Sequence, residues 1–310
     1  MASATKSQIS IGLAIMYIAW GTTWLGIAYT IETMPALIAM GFRFLTACSV
    51  LFAFLLIKNG TEILRITRPQ LRTAAILGVF LLAAGLGAAS TASKVVPIGV
   101  GSLVVASMPI WTTLFRFLDK DRPSKSTVIG LITGFIGIGL IMLPGQTQAR
   151  PGADGQSVLL WMLVISLGNI SWAYTSFKSK KMDTPANAFV LSAYEMLFAG
   201  FTLIFVGLLM GESMDQLLNA SARSLAGWVY LIIIGSLLGF STYVWLLDHA
   251  PISLVSTYAY VNPIVAVSLG ILILDEKLSA NVIIGGAIVL AAVAQVIRIE
   301  SKGVEPAERV

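Results

Sequence analysis

The chain has 310 residues, of which 57% are apolar and only 11% are charged, and its mean hydropathy is +0.87. A soluble domain carries about 25% charged residues, so a water-soluble enzyme of this length would lack the polar surface that it needs. A single cysteine and a single histidine exclude an internal disulfide, a thiolate zinc site and multi-histidine metal or catalytic sites. We therefore expect a polytopic integral membrane protein without a metal.

Ten apolar runs are each long enough to cross a bilayer core of about 30 Å, which requires roughly 17–25 residues per helix. In chain order they cover 9–30, 35–57, 72–93, 97–118, 127–143, 157–177, 186–209, 225–247, 252–274 and 281–299. The first run lacks a small-residue cleavage site and is too long for a signal peptide, so we expect it to be retained. The predicted fold class is all-α integral membrane with ten transmembrane helices, followed by a polar, disordered tail at 301–310.

Lysine and arginine give these runs an orientation. With a cytoplasmic N-terminus, 15 of the 20 basic residues lie on the inner side, four lie outside, and Arg43 lies within a run. This bias predicts that both termini are cytoplasmic. The net charge of +5 is then an insertion signal, and we expect no nucleic-acid partner.

The second half of the chain repeats the first with a shift of 154 residues. The strongest matches are two prolines twelve residues apart in each half, Pro97 and Pro109 against Pro251 and Pro263. The same shift pairs Gly85 with Gly239. Five helices is an odd number, so the halves must enter the membrane in opposite directions, as in many secondary transporters. We expect repeats at 1–145 and 146–300; a duplicated structural bundle without transport is the alternative.

Several of these segments carry a family likeness. The stretch 20–24 (WGTTW), followed by Pro35 and Arg43, resembles the opening of an EamA repeat, and 247–263 with 275–278 (DEKL) resembles the end of the second repeat. The likeness covers nearly the whole chain and is closest to ten-helix EamA-type exporters of the drug/metabolite transporter (DMT) superfamily, especially the YddG-type exporters of aromatic and hydrophobic amino acids. It implies amino-acid export through a central cavity in a bacterial inner membrane. Asp121, where glutamate is commoner, and Ala193, near the place of Arg43 in the second half, depart from the pattern.

Arg43 and Glu195 are the only ionisable residues well inside the runs, and each is expected near the midplane. A lone charge there costs at least about 2.5–3.5 kcal/mol, so each needs a partner or a wet cavity. The two residues are candidates to pair with each other. Glu195 is also a candidate for proton coupling, and Arg43 for a structural role.

Aromatic and amide side chains are the candidates for substrate binding. In the first run the aromatic residues recur at i, i+3 and i+7, which is one helix face, and the sixth run has a similar pattern. The predicted set comprises Tyr17, Trp20, Trp24, Asn169, Trp172, Tyr243, Tyr258 and Asn262. Such a set suits an apolar or aromatic side chain, with the amides left for an amino-acid head group. The alternative is that these residues pack against helices or lipid.

Two prolines are candidates for hinges. Pro109 and Pro263 fall inside the fourth and ninth runs, where proline removes a backbone hydrogen bond and kinks a helix. Asn262 precedes Pro263, so a freed carbonyl there is placed to meet substrate or water. A static kink is the alternative.

The remaining function classes are separated by what they require. An intramembrane enzyme needs a nucleophile–base pair or a metal cluster, and a channel needs a filter or a ring of like polar groups, and the sequence contains neither. Phosphorylated substrates require several buried cations, whereas only Arg43 lies inside a run. We expect a secondary transporter that exports neutral, aromatic or hydrophobic amino acids by alternating access, without a cofactor, as a monomer or weak dimer. Multidrug or other small-metabolite efflux is the alternative.

Overall fold

The computed structural model of the protein describes residues 5–119, 124–153, 156–179, 181–250, 252–255 and 257–302. Within these ranges the regular structure is helical throughout, and no strand is present. The expected all-α fold is therefore confirmed. Three sequence features, namely Asp121, Pro251 and residues 303–310 of the predicted tail, lie outside the described residues.

Each predicted apolar run contains a helix. The main helices, numbered in chain order, are α1 Lys6–Thr30, α2 Ala36–Asn59, α3 Arg68–Ala92, α4 Ile98–Leu118, α5 Lys125–Ile141, α6 Val158–Ser179, α7 Ala188–Leu209, α8 222–249, α9 Tyr258–Leu274 and α10 Ala280–Lys302. In the described part of the chain, eight of them are long and apolar enough to cross a membrane, and α5 and α9 are apolar helices of 17 residues. Short helical turns at Thr61–Leu64, Met214–Leu218 and Ile252–Val255 lie in the connections.

Helices five apart in the order of the chain make equivalent contacts. Helix α1 packs on α8 and α9, and α6 packs on α3 and α4. Helix α2 packs on α7, and α5 packs on α10. Replacing each helix by the helix five places away turns the contacts of α1 into those of α6, and it maps the α2–α7 and α5–α10 pairs onto themselves.

Glycines allow the backbones to touch at the two crossings between helices five places apart. A Cβ on Gly41 of α2 would lie 2.8 Å from the carbonyl oxygen of Gly200 in α7, and a Cβ on Gly137 of α5 would lie 2.9 Å from that of Gly285 in α10. Real Cβ atoms do not approach a backbone oxygen so closely, so both crossings depend on glycine. Small residues at helix contacts are typical of membrane bundles, where close packing replaces the hydrophobic effect between helices.

Three helices are irregular in their middle. Helix α3 contains a π-helical segment, Gly78–Ala83, and α8 contains another, Leu231–Leu238. Helix α4 is interrupted after Val105 and resumes at Met108. Such π segments leave backbone carbonyls available to other groups and occur frequently at functional sites.

One end of the bundle is held by glutamates that cap helices. Helices α2 and α4 begin after Pro35 and Pro97, which supply no side-chain acceptor for the free backbone N–H groups. The carboxylate of Glu212 accepts from the N–H groups of residues 37 and 38 at 2.9–3.1 Å, and that of Glu276 accepts from residues 98 and 99 at 2.6 and 3.0 Å. Lys94 Nζ lies 3.6 Å from Glu212. We call this end, formed by the connections 31–35, 93–97, 210–221 and 275–279, the capped end.

Candidate functional site

Four of the predicted aromatic residues meet between α1, α8 and α9. The Trp20 ring lies 5.2 Å from the Tyr243 ring and 5.1 Å from the Tyr258 ring, and the two tyrosine rings are 6.1 Å apart. The Tyr17 hydroxyl hydrogen-bonds to the hydroxyl of Thr257. All four side chains are half-buried. We call Tyr17, Trp20, Tyr243 and Tyr258 the aromatic cluster.

Trp20 is fixed by the π segment of α8. Its indole N–H donates to the carbonyl oxygen of Gly235 at 3.2 Å. A Cβ on Gly239 would lie 2.6 Å from the indole nitrogen, so the ring fits only because this residue is glycine. The first helix of the chain is thus attached to the irregular part of α8.

Trp172 in α6 makes the corresponding contact for the second half of the chain. A Cβ on Gly85 of α3 would lie 2.5 Å from the Trp172 ring. Its neighbour Ser171 donates to the carbonyl oxygen of Phe80, inside the π segment of α3, at 2.6 Å. Gly85 is the residue that the 154-residue shift pairs with Gly239. Two tryptophans, each on one glycine of an irregular helix, therefore occupy related places in the two halves.

Arg43 approaches the same π segment of α8 from α2. Its Nε donates to Ser236 Oγ at 3.0 Å, and one terminal nitrogen lies 3.7 Å from the sulfur of Met40. The guanidinium carbon lies 5.2 Å from the ring centroid of Phe44. The residue is 5% exposed. Among the described residues no ion pair joins Arg43 to Glu195, so the arginine is held by neutral groups of α2 and α8.

Glu195 has a different environment. It lies in α7, and the residue is half-buried. The carboxylate is within electrostatic range of the Tyr243 phenol. Across the described ranges it has no hydrogen-bond or ion-pair partner. Glu195 therefore borders the aromatic cluster with its hydrogen-bonding capacity unused.

Trp24 lies apart from the aromatic cluster. It is 9% exposed and packs with Ala28, Ala89 and Ala266, while a Cβ on Gly101 of α4 would lie 2.9 Å from its ring. The structure thus makes it part of the packing between α1 and α4.

Asn169 is used at the interruption of α4. Its amide nitrogen donates to the carbonyl oxygen of Val104 at 3.3 Å and to Ser107 Oγ at 3.0 Å, and the residue is 4% exposed. It satisfies groups that a regular helix would have paired internally. In this conformation the amide of Asn169 therefore holds the shape of α4.

Asn262 and the two predicted hinge prolines lie in α9 and α4. Pro263 lies inside α9, one turn after its start, whereas Pro109 lies in the first turn of the second segment of α4. Asn262 Oδ1 is enclosed and has no hydrogen-bond partner among the described residues. A buried acceptor without a donor is rare in folded proteins, so this atom is a candidate for a contact that another state or a ligand completes.

Comparison with known proteins identifies this architecture. The sequence profile of the EamA-like transporter family matches residues 8–143 and 159–298, which together make up most of the chain. The chain belongs to the EamA-like transporter family. The resemblance seen in the sequence is therefore confirmed at the level of the family.

Individual relatives agree with the family assignment. The uncharacterized inner membrane transporter YedA of Escherichia coli (strain K12) is 34% identical over 268 residues, which cover 86% of this chain and 83% of YedA. Protein PecM of Dickeya dadantii (strain 3937) is 28% identical, over 88% of this chain and 86% of PecM. A solved crystal structure with 18% sequence identity superimposes with a TM-score of 0.63 and covers 97% of this chain and 100% of its own chain. This likeness is one of fold.

These relatives confirm the predicted location and the transport class. This EamA-like protein is a multi-pass protein of the bacterial inner membrane, with a transport role rather than an enzymatic one. The names of the relatives specify no amino acid, so the YddG-type specificity stays a prediction.

Some residues at the site were not among the sequence candidates. Ser236 receives the Arg43 hydrogen bond, and Phe240 lies 6.3 Å from Tyr243 and extends the aromatic surface. Gly85 and Gly239 seat the two tryptophans. The 154-residue shift already paired these glycines, but only the fold reveals that each faces a tryptophan of the opposite half.

Proposed function

We propose that this EamA-like protein is a secondary transporter that exports neutral, aromatic or hydrophobic amino acids by alternating access. Residues 1–145 and 146–300 are two inverted five-helix repeats, 301–310 is a tail, and both termini are cytoplasmic. The α5 and α9 helices then complete ten crossings. Under this orientation the capped end faces outward.

The observation that carries the proposal is the exchange of contacts between the halves. Trp20 meets Gly239 as Trp172 meets Gly85, and each pair joins the first helix of one half to the third helix of the other. An interface built from two equivalent halves provides two nearly equivalent arrangements of one scaffold, which is what alternating access requires. The interrupted α4 and the proline in α9 supply the places where the helices bend, and Pro109 and Pro263 are the proposed hinges.

The substrate class follows from the side chains at this interface. Aromatic rings offer large apolar contact together with polar edges, which suits an apolar or aromatic side chain. The proposed binding residues are the aromatic cluster together with Trp172 and Asn262, while binding by Trp24 and Asn169 stays a prediction from the sequence. Arg43 is the one cation that the sequence places well inside an apolar run, which supports a neutral rather than a phosphorylated substrate.

Efflux of cationic compounds is the second candidate. Glu195, half-buried beside Tyr243, supports it, because a carboxylate next to aromatic rings attracts a positive charge. The same carboxylate supports proton coupling. Glu195→Gln should then make transport insensitive to a pH gradient, whereas unchanged sensitivity would assign coupling elsewhere.

Reconstitution distinguishes the two candidates. Purified protein in liposomes would be tested with labelled phenylalanine, labelled threonine and a cationic dye. We expect phenylalanine to move faster than threonine; movement of the dye alone would contradict amino-acid export. Trp20→Ala should strongly slow phenylalanine transport. Trp161→Ala is the control and should not slow it, because Trp161 lies away from the aromatic cluster and its indole donates to Gln156 at 3.0 Å.

A further inference from the structure

Two hydrogen-bond acceptors without donors border the aromatic cluster. Glu195 is half-buried, and its carboxylate has no hydrogen-bond or ion-pair partner within the described part of the chain. Asn262 Oδ1 is enclosed and also has none. An acceptor that is removed from bulk water without receiving a donor destabilises the state that contains it. Both groups would therefore gain from a ligand that brings hydrogen-bond donors.

The two acceptors approach the rings from different helices. Glu195 on α7 is within electrostatic range of the Tyr243 phenol on α8. Asn262 lies four residues after Tyr258 on α9, so the two share one helix face. Tyr243 and Tyr258 both contact Trp20. The acceptors and the ring faces thus surround one region between α1, α7, α8 and α9.

The chemistry of this region selects the ligand. Both free groups accept hydrogen bonds, one of them carries a negative charge in its ionised form, and the faces of tryptophan and tyrosine rings attract cations. A protonated amine provides three donors and a positive charge. We infer that Glu195 and the aromatic cluster bind the ammonium group of the substrate, with Asn262 as a further acceptor when α9 moves. The inference rests on the proposed transport function and narrows its substrates to apolar primary amines, amino acids included.

Arg43 does not provide a matching site for the substrate carboxylate. Its Nε is bonded to Ser236, and the residue is 5% exposed. Its guanidinium also contacts the sulfur of Met40 and the ring of Phe44, so neutral protein groups surround it. We therefore expect recognition at this site to depend on the amine more than on the carboxylate.

Competition in liposomes tests this dependence directly. Counterflow of labelled phenylalanine, measured without a pH gradient, would be challenged with phenylethylamine, which lacks the carboxylate, with 3-phenylpropionate, which lacks the amine, and with N-acetylphenylalanine. We expect phenylethylamine to compete within about tenfold of unlabelled phenylalanine. The two compounds without a protonated amine should compete at least about tenfold more weakly than phenylethylamine, because one charged contact of this kind is worth about a factor of ten or more. Equal competition by 3-phenylpropionate and phenylethylamine would overturn the inference.

Variants of Glu195 connect the preference to this carboxylate. Glu195→Gln should raise the KM for phenylalanine about tenfold or more and abolish the preference for phenylethylamine over 3-phenylpropionate, whereas Glu195→Asp should retain the preference. Glu62→Gln makes the same chemical change at an exposed ion pair with Arg65 and should have no effect. If Glu195→Gln does not fold, the competition patterns of Glu195→Asp and of the wild type still test whether the amine is required.

The two possible failures are distinguishable. A wild-type protein that moves phenylalanine but shows no amine preference, or a folded Glu195→Gln variant with an unchanged KM and competition pattern, refutes the ammonium site and leaves amino-acid transport standing. A wild-type protein that moves neither phenylalanine nor phenylethylamine refutes the proposed function and the inference together.

Discussion

The capping of α4 by Glu276 gives a prediction with a magnitude. Glu276 lies in the connection between α9 and α10 and accepts hydrogen bonds from Ile98 and Gly99 at 2.6 and 3.0 Å. The proline before this helix offers no side-chain cap. Glu276→Ala leaves both N–H groups without this acceptor and breaks a link between the two halves of the chain.

The expected loss combines two opposing effects. Removing a helix cap costs about 0.5–2 kcal/mol, and each hydrogen bond to a charged group contributes about 1.5–3 kcal/mol. Burial acts in the opposite direction. It raises the pKa of the Glu276 carboxyl by more than the hydrogen bonds from Gly99 and Ile98 and the charge of Arg150 lower it. Replacing this carboxyl by alanine therefore recovers part of the cost of burying the ionised group. We expect a net loss of about 1–2 kcal/mol, which corresponds to a melting temperature lower by roughly 3–6 °C.

Thermal unfolding of the purified protein in detergent measures this loss, with Glu62→Ala as the control. Glu62 forms an exposed ion pair with Arg65, so its removal should leave the melting temperature close to that of the wild type. Glu276→Gln retains one acceptor oxygen and should fall between the wild type and Glu276→Ala. A melting temperature of Glu276→Ala equal to that of Glu62→Ala would refute the capping argument.

Three further predictions use the same protein. The raised pKa of Glu276 means that the folded state holds this proton more tightly than the unfolded chain does, so the contribution of this group to stability should decrease as the pH rises from the ordinary glutamate pKa through the raised one. The melting temperature of the wild type should therefore fall towards that of Glu276→Gln across that range, and a constant difference would contradict this. Gly41→Ala should lower the free energy of unfolding by about 1–3 kcal/mol, because the added Cβ meets the Gly200 carbonyl. Gly139→Ala is the control and should not lower it, because the space around this position is open. Equal melting temperatures of the two variants would contradict the close crossing. Gly239→Ala should displace the Trp20 ring and change its fluorescence and phenylalanine transport together, and an unchanged signal in both would show that the ring is not seated on this glycine.

Periodicity and composition predicted the elements of this fold because a bilayer imposes a simple rule on sequence. Backbone groups in hydrocarbon must be paired internally, so each crossing requires a long apolar run, and all ten runs contain a helix. The family likeness was carried by short local motifs such as residues 20–24. Pro109 stands directly after the interruption of α4, whereas α9 is helical throughout with Pro263 inside it, so the hinge roles of both prolines stay predictions.

The partners of individual side chains were beyond such reasoning. Spacing on α1 grouped Trp24 with Tyr17 and Trp20, but the neighbouring helices separate them, since α4 covers Trp24 while α8 and α9 meet Trp20. Asn169 fitted a ligand-binding amide by type, and in the fold its nitrogen supports the interruption of α4.

The low content of charge in the sequence by itself determined that this protein lives in a membrane and that Arg43 and Glu195 require special environments, because an ionised group is costly anywhere in hydrocarbon. Only the tertiary structure decided what those environments are. Arg43 is enclosed by neutral groups of α2 and α8, whereas Glu195 borders an aromatic cluster with no partner among the described residues. The physical reason is that the sequence fixes the spacing of residues along each helix but does not fix which other helix packs against it. The contacts that surround a buried charge come from residues that are far away in the sequence.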